Sequence, residues 1–165
     1  MSGQGISIII PVLNEARGIV RSLEGLQDFR RTGAEIIVVD GGSVDDTQRL
    51  AGGLADRIIL ADRGRGRQMN AGAATARGNA FLFLHADTCL PAAALTAVAD
   101  ALASGATWGR FDVRIDGSLH GLGLVARMMN LRSRLTGIAT GDQAIFVTRE
   151  AFRRVDHDYP LSLAR

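Results

Sequence analysis

The chain has 165 residues, of which 47% are hydrophobic, and this size and composition favour one globular domain with its own core. No apolar stretch reaches the roughly 18 residues of a transmembrane candidate, and the segment 1–5 lacks the basic and apolar regions of a signal peptide, so we expect a cytoplasmic protein. A single cysteine excludes an internal disulfide, and the scattered arginines of a chain with net charge +2 argue against nucleic-acid binding.

Four short β-branched runs predict strands that are covered on both faces, as in a parallel sheet. The runs are Ile6–Pro11, Glu35–Asp40, Arg57–Leu60 and Phe81–Leu84. Apolar residues at helical spacing lie between or after them, at Ile19, Leu23 and Leu26 and again at Leu95, Val98 and Leu102. Alternating strands and helices predict an α/β fold with right-handed crossovers.

The pattern changes after Trp108. Alternation over residues 110–115 predicts an antiparallel edge strand, and residues 141–147 predict a further strand before a short helix over 149–155. The apolar stripe of residues 119–135 predicts a helix that serves as core, as a homodimer face or as a membrane-surface contact, with the first two favoured. No linker interrupts the chain, so residues 1–165 are expected to form a single domain.

Polar residues follow three of the predicted parallel strands. Asn14 and Glu15 follow the first, Asp40 ends the second, and His85 and Asp87 follow the fourth. Ligands of open α/β sheets bind beyond the carboxyl ends of the strands, so these side chains predict a binding site. Helix capping is the competing interpretation for Asn14 and for Asp45, and it explains Asp40 and Asp87 less well.

The glycine-containing segment 64–69 follows the third strand but matches the dinucleotide-binding pattern only in part. A phosphate ligand would therefore need another counter-charge, which a metal on Asp87 and the guanidinium groups of Arg65 or Arg67 would provide. A solvated basic loop is the alternative interpretation of these arginines.

Four segments, in order, resemble the family 2 glycosyltransferases, which have the Rossmann-like GT-A fold of a mostly parallel sheet flanked by helices. They are Ile8–Glu15, Ile37–Thr47, Arg67–Gly72 and Leu82–Thr88. The later segments 108–113 and 141–147 resemble a compact bacterial subgroup of these enzymes.

The resemblance implies a donor site for a UDP- or GDP-sugar. It implies that Asp40 accepts a hydrogen bond from the base, that Arg67 lies near the diphosphate, and that Asp87 holds Mg²⁺ or Mn²⁺ as the remaining acid of the family's Asp-x-Asp. The donor-binding residues expected on this basis are Pro11, Asn14, Glu15, Asp40, Gly41, Arg65, Arg67 and Asp87.

Two positions depart from the family pattern. His85 replaces the first acid of Asp-x-Asp and either joins the metal, hydrogen-bonds the ribose or packs. The family's catalytic Glu-Asp pair, expected downstream of residues 141–147, has no counterpart here, which predicts a domain truncated at its C-terminus. Asp142 is the candidate base, with Asp156 and Asp158 as alternatives.

Three functions therefore compete. The first is a metal-dependent glycosyltransferase of the hexosyltransferase type, which transfers sugar to an unassigned acceptor. The second is a donor-binding protein without turnover. The third is a nucleotidyltransferase, which the absence of lysine and of a glycine-rich phosphate loop disfavours.

Overall fold

The computed structural model describes residues 5–112, Met128 and residues 144–158, with the backbone alone for 156–158. The described part forms a six-stranded sheet between two layers of helices. Its strands are β1 (Ile6–Val12), β2 (Glu35–Asp40), β3 (Arg57–Leu60), β4 (Ala80–Phe83), β5 (Trp108–Arg110) and β6 (Ile145–Thr148). Its helices are α1 (Ile19–Glu24), α2 (Gln27–Arg31), α3 (Thr47–Ala51), α4 (Arg65–Thr75), α5 (Ala94–Ala103) and α6 (Arg149–Asp158).

The strand order is β3-β2-β1-β4-β6-β5. The first four strands in this order are parallel, whereas β6 pairs antiparallel with both β4 and β5. The predicted parallel sheet with an antiparallel edge strand is therefore confirmed. The chain moves outward from β1 to β3 and then crosses to the other side of β1 to form β4, so a topological switch point lies between β1 and β4.

Alternate residues of the central strands face two separate cores. Ile8, Ile36 and Leu82 pack with the apolar residues of α1, α2 and α5 on one face. On the other face, Ile9, Ile37 and Phe81 pack with α4 and α6. Ile8, Ile9, Ile36 and Ile37 are all fully buried, which agrees with strands that are apolar on both faces.

Several boundaries differ from those predicted. The helical pattern of residues 19–26 is divided between α1 and α2 near Gly25, and the short helix α3 was not predicted. Strand β5 ends at Arg110 rather than continuing through the predicted 110–115, although Phe111 N still donates to Ala144 O at 3.0 Å. In the described part of the chain no helix is long and apolar enough to cross a membrane.

Two predictions fall outside the described residues. One is the candidate base Asp142. The other is the helix 119–135 with its self-association or membrane face, from which only Met128 is described, as helical and exposed. Both stay predictions.

Candidate functional site

The carboxyl ends of β1, β2 and β4 meet at one edge of the sheet. The parallel register pairs Val12 with Asp40 and Ile9 with Phe83, and Leu84 N donates to Ile9 O at 3.0 Å just past the end of β4. The segments that follow these strands therefore leave the sheet side by side. The polar residues that follow these strands therefore lie along one edge of the sheet, which contains the topological switch point at which ligands bind in open α/β sheets.

Asn14 joins the loop after β1 to the loop after β2. Its Oδ1 accepts from Val44 N at 2.9 Å, and its own N–H donates to Ser43 Oγ at 2.8 Å. Glu15 N donates to the hydroxyl of the buried Thr47 at 2.8 Å. Asn14 has a φ of 56°, a left-handed conformation that asparagine tolerates better than most residues. Its side chain thus bridges two strand ends and does not cap a helix.

Asp45 strengthens the same junction. Its Oδ2 accepts from Ala16 N at 3.1 Å, and its Oδ1 accepts from both the N–H and the hydroxyl of Thr47. The hydrogen bond from the Thr47 hydroxyl lowers the pKa of Asp45, so its carboxylate form is favoured. Because Thr47 is the first residue of α3, the capping interpretation holds in part for Asp45.

Asp40, the last residue of β2, has no exposed surface. Its carboxylate accepts from Ser43 N at 3.0 Å, from the Ser43 hydroxyl, and from the Gln48 amide at 2.6 Å. A buried carboxylate must be paired or hydrogen-bonded to be tolerated, and these donors meet that need. Asp40 is therefore held in one orientation at the strand end, with Gln48 as the exposed residue that contacts it.

Gln68 is a residue of this edge that the sequence did not single out. It lies in α4, is 5% exposed, and donates from Nε2 to Val12 O and to Val39 O, both at 2.8 Å. The available signal was its spacing from Gly72, because residues four apart share one helix face and this face packs on the sheet.

Helix α4 brings Arg65 and Arg67 to the same edge. The helix begins at Arg65, after Gly64, whose φ of 136° favours glycine, so both arginines lie in the first helical turn and not in a loop as the sequence suggested. Arg65 Nη2 lies 3.1 Å from His85 Nδ1. Arg67 Nη1 lies 3.9 Å from Asp62 Oδ2, with 59% of its side chain exposed.

The contact with Arg65 assigns the tautomer of His85. A guanidinium group can only donate, so Nδ1 accepts this hydrogen bond and the proton of a neutral imidazole is on Nε2. The contact places His85 beside Arg65 at the end of β4, and its role as a metal ligand or as a hydrogen-bonding residue stays a prediction.

Asp87 lies beyond the end of β4 with its side chain exposed, and its Oδ1 accepts from Thr88 Oγ1 at 3.5 Å. A small cleft of about 30 Å³ lies between the ends of β1 and β4, lined by Pro11, Arg65, Met69, Phe83, Leu84, His85 and Ile145. Cys89 is exposed. Across the described ranges no three His, Cys, Asp or Glu side chains form a ready-made metal cluster, so a cation here would also need oxygens from a ligand or water.

The six-stranded, mostly parallel sheet with polar residues around its switch point defines an α/β protein. The pattern of glycosyl transferase family 2 matches residues 7–155, and the chain belongs to this family.

Curated relatives agree with this assignment. A PGL/p-HBAD biosynthesis glycosyltransferase of Mycobacterium bovis is 36% identical over 97 residues, which cover 54% of this chain and 38% of the relative. An uncharacterized glycosyltransferase of Nostoc is 34% identical over 89 residues, covering 50% of this chain and 28% of the relative. The chain therefore spans less than two fifths of the length of these relatives.

Solved structures show the same fold. Glucosyl-3-phosphoglycerate synthase from Mycobacterium tuberculosis, in complex with Mn²⁺, UDP-glucose and phosphoglyceric acid, superposes with a TM-score of 0.67 at 22% identity, over 90% of this chain and 58% of that one. The complex of the same enzyme with Mn²⁺, UDP and glucosyl-3-phosphoglycerate gives a TM-score of 0.66 at 21% identity. The expected GT-A architecture is confirmed.

Proposed function

We propose that this chain binds a nucleoside-diphosphate sugar together with a divalent cation and transfers the sugar to an acceptor. The observation that carries the proposal is the meeting of the buried Asp40, the arginines of α4 and the exposed Asp87 at one sheet edge. The structurally similar synthase was solved in complex with Mn²⁺ and UDP-glucose, which supports the same ligand class.

The nucleoside would lie against the ends of β1 and β2. The loops of Asn14 and Ser43 are joined by hydrogen bonds, so they form a fixed wall, and Asp40 sits behind them with Gly41 beside it. The Gln48 amide indicates the kind of partner that Asp40 accepts, namely an N–H donor. A nucleobase N–H would take the place of this amide, while Pro11 and Glu15 would complete the wall.

The diphosphate would lie over the first turn of α4. Unpaired backbone N–H groups at a helix N-terminus attract anions, and Arg65 and Arg67 add two cations in the same turn. Arginine suits this role because its planar group binds phosphate oxygens in a bidentate manner. Arg65 would also hold His85 oriented toward the ligand through the contact at Nδ1.

The described residues fit a hard divalent cation, Mg²⁺ or Mn²⁺. Such ions are commonly bound by one or two carboxylates plus substrate phosphates and water, so the exposed Asp87 is a sufficient protein ligand. The cation would stabilise the charge on the departing nucleoside diphosphate. His85 would contribute as a hydrogen-bond donor, and Asp142 stays the proposed base for the acceptor hydroxyl.

Calorimetric titration tests the proposal. UDP, GDP and their sugars are titrated with and without Mn²⁺ into the unsubstituted chain, into Asp87→Asn and into Asp28→Asn, an exposed acid of α2 that pairs with Arg31 and serves as the matched control. We expect Mn²⁺ to raise nucleotide affinity by about tenfold or more in the first and third proteins and to have no effect in the second.

Other outcomes of the same experiment separate the competing functions. If none of the nucleotides binds with or without Mn²⁺, the proposal is wrong. Metal-dependent binding without release of nucleoside diphosphate from any donor and acceptor would indicate a donor-binding protein without turnover. Release of pyrophosphate from CTP or UTP would instead indicate a nucleotidyltransferase.

A further inference from the structure

Gln68 is a buried polar residue that no ligand-binding role explains so far. Its amide donates to the carbonyl oxygens of Val12 and Val39, which belong to two different strands. Nothing in helix formation requires this contact, since the backbone N–H of Gln68 already donates to Gly64 O. This buried side chain, which links two strand carbonyls, therefore constrains the strands and is not needed to form the helix.

The bridged carbonyls stand directly before the nucleoside wall. Val39 precedes Asp40, and Val12 ends β1 before the Asn14 loop, while Val12 O also accepts from Gly41 N at 3.0 Å. Gly41 packs so closely on the amide that a Cβ at this position would lie 3.0 Å from Gln68 Cδ. The amide thus sets the spacing of the two strand ends and the course of the chain after Asp40.

Helix α4 is held on the sheet by other contacts. Gly72 lies against Ile9 and Val39, and Ala73 and Met69 pack in the same core as Phe83. The loss of the Gln68 amide would therefore leave the arginine-bearing first turn near its present place. Only the hydrogen bonds from the amide to the ends of β1 and β2 would be lost.

We propose that Gln68 is a positioning residue, which acts through the Val12 and Val39 carbonyls to set base selectivity. This inference rests on the proposed function, because it assumes that a nucleoside lies against the ends of β1 and β2. The residue touches no ligand itself and acts by placing Asp40 and the Asn14 loop.

The test compares Gln68→Met with Gln27→Met in the full chain. Gln27 is a matched control, because its Nε2 also donates to two backbone carbonyls, Leu23 O and Leu54 O, but away from the site. Dissociation constants for UDP, GDP, CDP and ADP are measured in Mn²⁺. For Gln68→Met we expect about a tenfold loss of affinity for the preferred nucleotide and a much smaller loss for the others, so that selectivity falls. Gln27→Met should keep the full selectivity.

Each other outcome has a definite meaning. An equal loss for all four nucleotides, unchanged binding, or the absence of base preference in the unsubstituted chain would overturn the positioning role. Failure of the unsubstituted chain to bind any nucleotide would contradict the proposed function. If Gln68→Met does not unfold cooperatively, Gln68→Asn replaces it, because that side chain keeps the amide but is too short for both carbonyls, and the same loss of selectivity is expected.

Discussion

At the scale of single residues, the contact between Gln48 and Asp40 competes with the proposed ligand. The Gln48 amide occupies a carboxylate oxygen that the nucleobase would need, so binding has to displace it. Gln48→Ala should therefore raise nucleotide affinity by roughly two- to tenfold, in keeping with the net free energy of one hydrogen bond, and should lower the midpoint of thermal unfolding.

Calorimetry and a thermal melt measure these two effects together. Arg49→Gln is the control, because Arg49 is the next residue of α3 and pairs with the exposed Asp46 without contacting Asp40. A fall in affinity for Gln48→Ala would show that Gln48 assists binding, which contradicts displacement.

The sequence predicted some of these residues and missed others for a physical reason. Asp40 and Asp87 were recognisable because each is an acid at the end of an apolar run. Gln68 was not, since its partners Val12 and Val39 lie 56 and 29 positions away along the chain, which no local pattern encodes. Helix capping was the competing interpretation of Asn14, whereas its side chain in fact accepts a hydrogen bond from the backbone N–H of Val44.

At the scale of elements, α4 approaches the sheet closely at Gly72. A Cβ on Gly72 would stand 2.4 Å from Ile9 Cγ2 and 3.0 Å from Val39 Cγ2, so the helix axis must move if any side chain is added. Gly72→Ala should destabilise the fold by about 1–3 kcal/mol through overpacking, partly offset by the roughly 1 kcal/mol that alanine gains over glycine within a helix.

Urea unfolding of Gly72→Ala beside Gly66→Ala measures this cost. Gly66 lies in the same helix, and a Cβ there would meet no atom within 4 Å, so its replacement should be neutral or slightly stabilising. Equal free energies of unfolding for the two variants would mean that α4 does not depend on close contact at Gly72.

Helices and strands were predicted most accurately where their sequence pattern is local. The β-branched runs gave the four parallel strands within two residues of their observed bounds, because burial on both faces demands continuous apolar sequence. Within α4 the sequence offered only the family resemblance of Arg67–Gly72, since the packing face of this helix consists of small residues and Gln68 rather than an apolar stripe. Strand β5 spans Trp108–Arg110, whereas the alternating pattern predicted a strand over residues 110–115.

At the scale of the whole molecule, the site follows from the order of the strands. The order in which strands are added reverses between the parallel strands β1 and β4, which opens a crevice, and the cleft at this edge is lined by Pro11 from β1 and by Leu84 and His85 after β4. The residues that line this cleft could not be predicted from the sequence alone, because the order of strands in a sheet is set by packing between distant segments. Alternating strands and helices predicted the fold class, whereas the position of the crevice follows from the observed order of the strands.

The central claim is that one edge of this sheet holds a nucleoside diphosphate and a divalent cation. Crystals soaked with Mn²⁺ and the tightest-binding nucleoside diphosphate test it most directly, because manganese is located by its anomalous signal. We predict a manganese peak bonded to the Asp87 carboxylate, the diphosphate between it and the first turn of α4, and the base beside Asp40. A nucleotide bound away from this edge, or a manganese ion held without Asp87, would contradict the account.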